Sequence, residues 1–443
     1  MSGAVSQRPK VLFIGRGAPW SGGAGYLVRQ KMFLDAFTSF ADVTAAMFEL
    51  CGDDAEAGVL DGGCERVVSL PRKPLRREGR WEMLLKDTLC RKPRNMRTFE
   101  ADAARTIIQT LKPDSFDAVF CYRIDTAAWS GVLGRPDLLL DIDDPEHART
   151  SRRVELCGET PDARTLRDMA KVKRFELEAA ASARVSFVCQ PVDRERFNEP
   201  KPEVAPNAVT TPDDHPGYQP DPDTLLFVGN LNGGMENPNV QGLLWFLDEV
   251  WPKIAEQRPE TRLRIGGKAS EMVSERLDDL PGRVERLGFV PDMAETVRSA
   301  AVNLAPIQFG TGTRIKVLDA LANGGAVVGT TLACEGIGVE DGKHVRLADT
   351  AEAFAQACIE LLNDPERAAT MGREGHALIR AEYSTSAHVP RLAKWFAELM
   401  EVTLEDQPCV ASPGGEAKPT ADDQETSDQD DAVEHGTETI RTN

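Results

Sequence analysis

Three charged side chains near the start of one predicted helix have types and spacing suited to binding a phosphate group. Arg314, Lys316 and Asp319 follow a glycine-rich turn, which comes after the apolar run Asn303–Pro306. Free backbone N–H groups at a helix start attract anions, and cations beside them strengthen that attraction. The sequence therefore predicts a site for a phosphate or diphosphate at the end of a buried strand.

The periodicity of this helix places Lys316, Asp319 and Asn323 together on one narrow polar face. We expect the helix to be capped by Thr313 and to run to Gly324. A simpler interpretation fits the same spacing, because Lys316 and Asp319 are i,i+3 neighbours that can form an exposed ion pair of small stabilising effect. Both interpretations stay open at this level.

A second glycine-rich turn lies near the N-terminus, after the predicted strand Val11–Ile14. Its sequence is GRGAPWSGGAGY, and Trp20 occupies the third glycine position of a dinucleotide-binding fingerprint. The turn also lacks the Gly-Lys-Ser/Thr of a P-loop. It offers Gly22, Gly23 and Gly25 at a helix start, where the backbone can approach a ligand closely.

Acidic residues follow another predicted strand, in Asp141-Ile-Asp-Asp-Pro-Glu-His147. The pair Asp141 and Asp143 resembles a metal-binding arrangement, but no further acid or histidine cluster completes such a site. Asp143, Asp144 and His147 are instead candidates for contacting an acceptor hydroxyl or a sugar. The alternative is that these carboxylates cap the helix that follows.

Apolar runs alternate with helix-period segments along most of the chain, which is typical of an α/β protein with parallel sheets. Open sheets of this kind bind ligands at the carboxyl ends of their strands. We therefore expect two doubly wound, Rossmann-like domains that face a central cleft. The predicted boundaries are an N-terminal domain at 1–205, a proline-rich linker at 206–223, a C-terminal domain at 224–384, a helix at 385–404 that packs back on the N-terminal domain, and a tail at 405–443.

The predicted strands are the apolar runs of each half. In the first half they are Val11–Ile14, Ala41–Met47, Ala118–Cys121, Leu138–Ile142 and Val185–Cys189, with helices near Gly25–Phe37, Glu100–Leu111 and Thr165–Ala181. In the second half they are Leu225–Val228, Arg262–Ile265, Val284–Leu287, Val302–Ala305 and Ala326–Gly329, and a final helix is expected near Ser386–Val402.

Composition narrows the function classes. The net charge of −19 over 443 residues argues against nucleic-acid binding. About half of this excess lies in the 405–443 tail, which is rich in acids and poor in apolar residues, so we expect it to be disordered. Nine cysteines without a C-x-x-C pair indicate reduced thiols, and no signal peptide or membrane span is recognisable. We expect a cytoplasmic protein.

One segment, 66–97, is basic instead, with eleven Lys/Arg against three acids and interleaved apolar side chains. Such a segment suits peripheral contact with the cytoplasmic face of an anionic membrane or with a lipid-linked substrate. A solvated basic insertion explains it equally well.

The two glycine-rich turns, in this order on two such halves, resemble the retaining glycosyltransferases of the GT-B fold, group 1 (family 4). The resemblance covers most of 10–400 and is carried by several motifs. These are Pro19-x-x-Gly22-Gly23-x-Gly25, Val204-Ala-Pro-Asn-Ala-Val209, Leu226-Phe-Val-Gly-Asn230, Gly288-Phe-Val-Pro-Asp292, Gly312-Thr-Arg-Ile-Lys-Val-Leu-Asp319, Asn323-Gly-Gly-Ala-Val-Val328, Glu335-Gly336, Leu361-Leu-Asn-Asp-Pro365, Met371-Gly372 and Tyr383-Ser384.

The resemblance implies transfer of a sugar from a nucleotide diphosphate-sugar to a saccharide, lipid-linked or other hydroxyl acceptor, in polysaccharide or glycoconjugate assembly, with no cofactor and no metal. Arg314 and Lys316 match the basic pair that stabilises the departing diphosphate, and Asp319 stands where the family usually has a ribose-binding Glu. The other implied donor contacts are Gly22, Gly23, Gly229, Asn230, Gly312, Thr313, Glu335 and Gly336.

One departure from the family pattern concerns the donor sugar. Many relatives have a Glu eight positions before the ribose-binding acid, and this chain has Thr311 there. A hydroxyl cannot replace the charge of a carboxylate, so we expect a subgroup geometry built on the Gly-Thr-Arg-x-Lys signature. Two alternatives to transfer stay open: a sugar-nucleotide epimerase of the same fold and a non-catalytic nucleotide-sugar-binding protein.

Overall fold

The computed structural model describes residues 8–21, 25–74, 90–94, 96, 99–156, 160–217, 220–278, 280, 283–310 and 314–402. The acidic tail predicted to be disordered, most of the basic segment 66–97, and the predicted site residues Gly22, Gly23, Thr311, Gly312 and Thr313 lie outside these residues.

The first half contains nine strands and seven helices among the described residues. The strands are β1 Lys10–Arg16, β2 Asp42–Phe48, β3 Arg66–Leu70, β4 Lys73–Pro74, β5 Phe99–Glu100, β6 Ala118–Tyr122, β7 Leu138–Asp143, β8 Val185–Val188 and β9 Glu203–Val204. The helices are α1 Gly25–Thr38, α2 Asp54–Leu60, α3 Asp102–Thr110, α4 Ile124–Ser130, α5 Glu146–Leu156, α6 Ala163–Ser182 and α7 Pro191–Arg194.

Seven of these strands form one parallel sheet in the order β3-β2-β1-β6-β7-β8-β9, whereas β4 and β5 make a small antiparallel pair. The central strands are buried on both faces, since helices cover each side of the sheet. This burial explains why they read as continuous apolar runs rather than alternating ones.

The second half repeats this architecture. Its strands are β10 Asp221–Val228, β11 Arg262–Gly266, β12 Arg283–Gly288, β13 Ala300–Ala305, β14 Val327–Gly329 and β15 Arg346–Leu347, all parallel in the order β12-β11-β10-β13-β14-β15. Its helices are α8 Pro238–Trp245, which continues through a π turn at Phe246–Val250, α9 Trp251–Gln257, α10 Glu271–Asp278, α11 Met293–Arg298, α12 Ile315–Ala322, α13 Ala351–Asn363, α14 Pro365–Glu382 and α15 Thr385–Leu399.

The chain passes between the two halves at two places that lie side by side. Val209, after β9, donates its N–H to the carbonyl of Tyr383 at 2.9 Å, and the N–H of Thr385 donates to the carbonyl of Val209 at 3.0 Å. The second crossing leads into α15, which returns to the first half. Phe396 of this helix stacks on Phe37 of α1 with ring centroids 4.2 Å apart.

The α/β class and every strand expected from an apolar run are confirmed within a few residues. Two details differ. The helix expected to begin at Thr313 begins at Ile315, with Arg314 in the N-cap position, and ends at Ala322. The stretch predicted as a linker, 206–223, overlaps the second sheet at its end, because β10 begins at Asp221. Among the described residues, no helix is long and apolar enough to cross a membrane.

Candidate active site

A cavity of about 500 Å³ lies at the carboxyl ends of β10 and β13, against α12. Arg314, Lys316 and Asp319 line it together, as do Gly229 and Asn230 after β10. Gly25 reaches it from the first half, and a side chain at this glycine would press on Ile315. The start of α1 and the start of α12 therefore approach each other across the cleft.

The start of α12 lies at this cavity, which Arg314, Ile315 and Lys316 line. Arg314 occupies the N-cap with extended backbone, and its side chain makes no capping hydrogen bond. Val317, Leu318 and Leu321 are buried in the core, which fixes the rotation of the helix and turns Lys316 and Asp319 to the cavity. The backbone N–H groups of the first turn and two cations thus belong to one site.

Lys316 is a cation held away from water. Its Nζ is buried and has no hydrogen-bond partner among the described residues. The amine lies 4.4 Å from the centroid of the Phe227 ring, so a cation–π contact partly compensates. Burial, together with the nearby charge of Arg314, lowers the pKa of Lys316 to about 7. An anionic ligand would restore the protonated form.

The pKa values of two neighbouring groups, Asp319 and Arg314, are likewise shifted in the direction that favours the neutral form. Burial raises the pKa of Asp319 to about 7. Burial also lowers the pKa of Arg314, although Asp144 of the first half opposes this. Lys316 forms no ion pair with Asp319, so the simpler interpretation of their spacing is wrong.

Glycines bring the strand ends beneath the cavity into close contact. Gly229 donates its N–H to the carbonyl of Gly266 at 3.0 Å. A Cβ on Gly229 would lie 3.1 Å from the Nζ of Lys316, and a Cβ on Gly267, whose φ is +130°, would overlap the carbonyl oxygen of Gly229. Asn230 accepts a hydrogen bond from the N–H of Asn232 and shapes the turn after β10.

Glu335 and Gly336 are not brought into this cavity. They line a separate cavity of about 790 Å³ on the other side of the segment after β13. The carboxylate of Glu335 accepts two hydrogen bonds from Arg152 of α5, at 2.5 and 2.8 Å, and its carbonyl accepts one from Gln190 at 3.1 Å. Glu335 therefore joins the two halves.

The predicted acceptor-side residues occupy different environments. Asp143 has a positive φ of +61°, accepts a hydrogen bond from the Tyr122 hydroxyl at 3.1 Å and lies 3.2 Å from Arg29 Nε. His147 is buried, and its Nδ1 lies 2.5 Å from Glu176 Oε2. Asp144 is close enough to Arg314 to act on its pKa.

Two residues in this region, Glu176 and Arg29, are missing from the sequence-based predictions. Glu176 accepts the backbone N–H groups of Glu146 and His147, and thus fixes the start of α5. Arg29 is fully buried and donates to Asp141 at 2.6 and 2.8 Å. Burial lowers the pKa of Arg29, but the carboxylates of Asp141 and Asp143 more than offset this and raise it above its ordinary value, so the guanidinium stays charged. Arg29 also donates to the carbonyl of Ala205 and the side chain of Asn207, and the sequence contains no signal for these long-range pairs.

A metal role for the Asp141 region gains no support from the geometry. Among the residues that the structure describes, no group of three or more His, Cys, Asp or Glu side chains could hold a metal ion. The carboxylate of Asp141 is already engaged by Arg29.

Part of the chain is similar in sequence to known glycosyltransferases. Residues 222–364 match the model of the family "Glycosyl transferases group 1". The chain is 32% identical over 142 residues to an uncharacterized 44.6 kDa protein in the cps region of Klebsiella pneumoniae, covering 30% of this chain and 36% of that protein. It is also 32% identical over 183 residues to a phosphatidyl-myo-inositol mannosyltransferase of Mycolicibacterium smegmatis, covering 40% of this chain and 46% of the other. The matches thus span less than half of these relatives.

Solved structures resemble the chain over a longer range. HepE of Anabaena in complex with UDP and glucose superposes with a TM-score of 0.61 at 13% identity, covering 89% of this chain and 99% of that structure. Sucrose-phosphate synthase of Thermosynechococcus elongatus superposes with a TM-score of 0.63 at 15% identity, covering 89% and 100%. The chain therefore has the GT-B fold, and its second half, which holds Arg314, Lys316 and Asp319, matches the group 1 glycosyl transferases.

Proposed function

We propose that this protein is a glycosyltransferase that moves a sugar from a nucleotide diphosphate-sugar to a hydroxyl acceptor with retention of anomeric configuration. The observation that carries the proposal is the buried amine of Lys316 near the start of α12, which has no hydrogen-bond partner among the described residues. A desolvated cation is costly unless an anion completes the site. The family match covers this segment of the chain.

In this proposal the diphosphate of the donor binds at the start of α12. Arg314, Lys316 and the backbone N–H groups of Ile315 and Lys316 neutralise its charge, which grows as the bond to the sugar breaks. Asp319 accepts hydrogen bonds from the ribose hydroxyls. Gly22, Gly23, Gly312 and Thr313, which lie outside the described residues, stay proposed donor contacts on the basis of their motifs.

The acceptor hydroxyl attacks from the face on which the nucleotide departs, and the leaving phosphate helps to take its proton. Asp143, Asp144 and His147 line the acceptor side, where Glu176 holds His147 in one orientation. Closure of the cleft excludes water and aligns the reactants. The reaction proposed here needs no cofactor and no metal.

Two relatives support a place in polysaccharide or glycoconjugate assembly. One is encoded in a cps region, and the structural neighbour WaaG, with a TM-score of 0.58 at 14% identity, is involved in lipopolysaccharide biosynthesis. We extend the proposal to peripheral contact with an anionic membrane through 66–97, of which Arg66, Arg91 and Lys92 are described and exposed. Salt-sensitive flotation with anionic liposomes tests this contact, and its absence would remove the membrane from the proposal.

A screen of nucleotide sugars by thermal shift identifies the donor, because a ligand that binds only the folded chain raises Tm. Product analysis then separates the alternatives: transfer yields a new glycoside, epimerisation yields an isomeric nucleotide sugar, and a binding protein yields neither. Product NMR reports the anomeric configuration.

Lys316→Met should lower turnover by about a hundredfold or more, the effect of removing one preorganised charge-stabilising group. Lys343→Met, at an exposed lysine outside the cavity, is the matched control. Near-normal transfer by Lys316→Met would sink the assignment.

A further inference from the structure

The cavity of about 790 Å³ that Glu335 lines has no role in the proposed donor site. It lies at the carboxyl ends of β13, β14 and β15, which Gln308, Thr330 and Asp349 closely follow. Ligands of open α/β sheets bind at such strand ends, and ligand cavities usually measure about 300–1,000 Å³. We name it the second cavity, and its position and volume are those of a binding site.

An amide group in the wall of the second cavity has an unfilled hydrogen-bonding position. The Nε2 group of Gln241, in α8, donates to Oε1 of Gln308 at 3.3 Å. The Oε1 atom of Gln241 is buried and has no hydrogen-bond partner among the described residues. Turning the amide over would exchange acceptor for donor and leave the same position unfilled. A hydroxyl group both donates and accepts, so it completes either arrangement.

Two polar groups of the second cavity are held in place by their surroundings. Gly242 brings α8 against the segment after β13, since a Cβ there would overlap the carbonyl oxygen of Pro306. Asp349 accepts hydrogen bonds from the N–H and the hydroxyl of Thr331, at 2.8 and 2.7 Å. A carboxylate has about four lone-pair sites, so this exposed group can accept further hydrogen bonds from a ligand.

The charges around the second cavity disfavour an anionic ligand. Its described lining contains one cation, Arg152, and three acids, Glu155, Glu335 and Asp349. The guanidinium of Arg152 already donates two hydrogen bonds to Glu335, at 2.5 and 2.8 Å. A phosphate or carboxylate would therefore meet repulsion here, whereas neutral hydroxyl groups can donate to the acids.

The second cavity adjoins the proposed donor site. Ile307 lines both cavities, and Glu335 acts electrostatically on Arg314 at the start of α12. From the first half, α5 leads from the proposed acceptor side to the second cavity. It carries His147 near its start and Glu155 about 12 Å farther along its axis, at 1.5 Å per residue. A molecule of a few sugar rings is long enough to span this distance.

We propose that the second cavity is an acceptor subsite that binds a neutral saccharide unit away from the reacting hydroxyl. The inference rests on the proposed function, because it names the acceptor class of that transfer. Apolar side chains of Ile307, Phe309 and Leu347 suit the C–H faces of a sugar ring, and the amide and carboxylate suit its hydroxyls. The acceptor is thus a glycan chain of several units rather than a single sugar.

Binding of neutral sugars to the full chain tests the subsite directly. The probes are glucose, mannose, galactose, N-acetylglucosamine, cellobiose and lactose, and glucuronate is the anionic counterpart of glucose. Ligand-observed NMR titrations measure their affinities at concentrations up to about 50 mM. We expect millimolar binding of at least one neutral probe and weaker binding of glucuronate.

Two variants locate this binding within the chain. Asp349→Asn should weaken it by about tenfold, because a neutral amide accepts a weaker hydrogen bond than a carboxylate does. Gln308→Trp should abolish it, because the indole fills the cavity.

Each variant has a matched control outside the second cavity. Asp364→Asn changes an exposed carboxylate that also accepts a backbone N–H, from Arg367 at 2.9 Å. Gln356→Trp places the same indole at an exposed glutamine of α13. Both controls should bind the saccharides as the wild type does.

Failure of this inference is distinct from failure of the proposed function. Absence of saccharide binding, unchanged affinity in Asp349→Asn and Gln308→Trp, or glucuronate binding as tight as that of glucose would overturn the subsite. A thermal shift with a nucleotide sugar would still support the donor site in each case. If saccharides bind as expected but no nucleotide sugar is turned over, the second cavity binds sugar and the transferase assignment falls.

Kinetics test the acceptor role once the thermal-shift screen has identified a donor. Asp349→Asn should raise the KM for a saccharide acceptor and leave the KM for the donor unchanged, because the two ligands occupy different cavities. A raised KM for the donor with an unchanged KM for the acceptor would overturn the subsite.

Discussion

The two sides of the cleft hold their charged side chains in opposite ways. In the second half, Lys316 is buried without a hydrogen-bond partner among the described residues, and burial shifts the pKa of Asp319 to about 7. In the first half, Arg29 is buried along its whole side chain but is engaged by Asp141, Ala205 and Asn207. The isolated charges of the second half are available to a ligand, whereas the paired charges of the first half stabilise its fold.

This difference parallels the reach of the sequence similarity. The family match covers 222–364, the half with the isolated charges, and stops short of the half with the paired ones. The proposed donor site depends on a few local motifs, so its sequence is recognisable. The frame of the first half depends on partners far apart in the chain, such as Arg29 and Asp141, which are separated by 112 positions.

The largest expected effect comes from breaking the paired side. Arg29→Met leaves Asp141 buried beside Asp143 without its cation, which should cost about 3–5 kcal/mol of unfolding free energy. Denaturant unfolding measures this loss. Lys316→Met is the counterpart in the second half, where removal of an amine that is buried without a hydrogen-bond partner among the described residues should leave stability unchanged or higher while binding of the proposed donor is lost. Equal destabilisation by the two variants would contradict the comparison.

The next effect concerns the glycine contacts beneath the donor cavity. Gly267→Ala places a methyl group on the carbonyl of Gly229 in addition to its left-handed strain, and overpacking of this kind costs about 1–3 kcal/mol. We expect a lower Tm and a weaker thermal response to nucleotide sugars. Gly342→Ala is the control, because φ is +75° there but nothing lies within 4 Å of the added methyl. If Gly267→Ala keeps the full thermal shift with nucleotide sugars, the contact between Gly267 and Gly229 is not part of the site.

The isolated charges should give the stability a characteristic pH dependence. Between pH 7 and 10.5 the folded chain has lost the Lys316 proton that the unfolded chain retains, so stability rises with pH in this window. Between pH 3.8 and 7 the folded chain keeps the Asp319 proton that the unfolded chain has lost, so this group makes stability fall as pH rises.

Denaturation midpoints recorded across both windows test these slopes. Lys316→Met should remove the upper slope and Asp319→Asn the lower one, whereas Lys343→Met, at an exposed lysine, should change neither. A wild-type profile identical to that of Lys316→Met would mean that the amine is solvated in the folded chain.

The smallest stability effect is expected where the two sides meet. Arg152 and Glu335 pair in bidentate geometry, but their side chains are 18% and 30% exposed, so Arg152→Met should cost about 1 kcal/mol or less. The change should appear instead as a wider cleft by small-angle scattering. A large loss of Tm would show that this pair belongs to the frame.

Much of the fold could be read from the sequence because buried parallel strands are continuous apolar runs. The strands that escaped prediction are short or carry charge, as in Arg66–Leu70, Glu203–Val204 and Arg346–Leu347. Their pairing comes from their neighbours in the sheet rather than from their own composition.

The candidate site, like the fold, has a part that the sequence predicts and a part that it does not. The approach of Lys316 and Asp319 to one cavity follows from helix periodicity, so spacing was enough to predict it. The pairing of His147 with Glu176 and the engagement of Glu335 by Arg152 depend on tertiary contacts. No local sequence pattern identifies Glu176 or Arg152 as a partner. Glu335, which Arg152 engages, lies in a different cavity from the one expected.

The two chain crossings at Val209 and Tyr383–Thr385 have a mechanical consequence. Because the two crossings are hydrogen-bonded to each other, they act as one hinge and resist sliding of one half past the other. Rotation about this line moves the distant lip of the cleft furthest and the adjoining residues least. A protein hinged in this way can admit bulky molecules at the mouth of its cleft while the atoms near the hinge keep their relative positions.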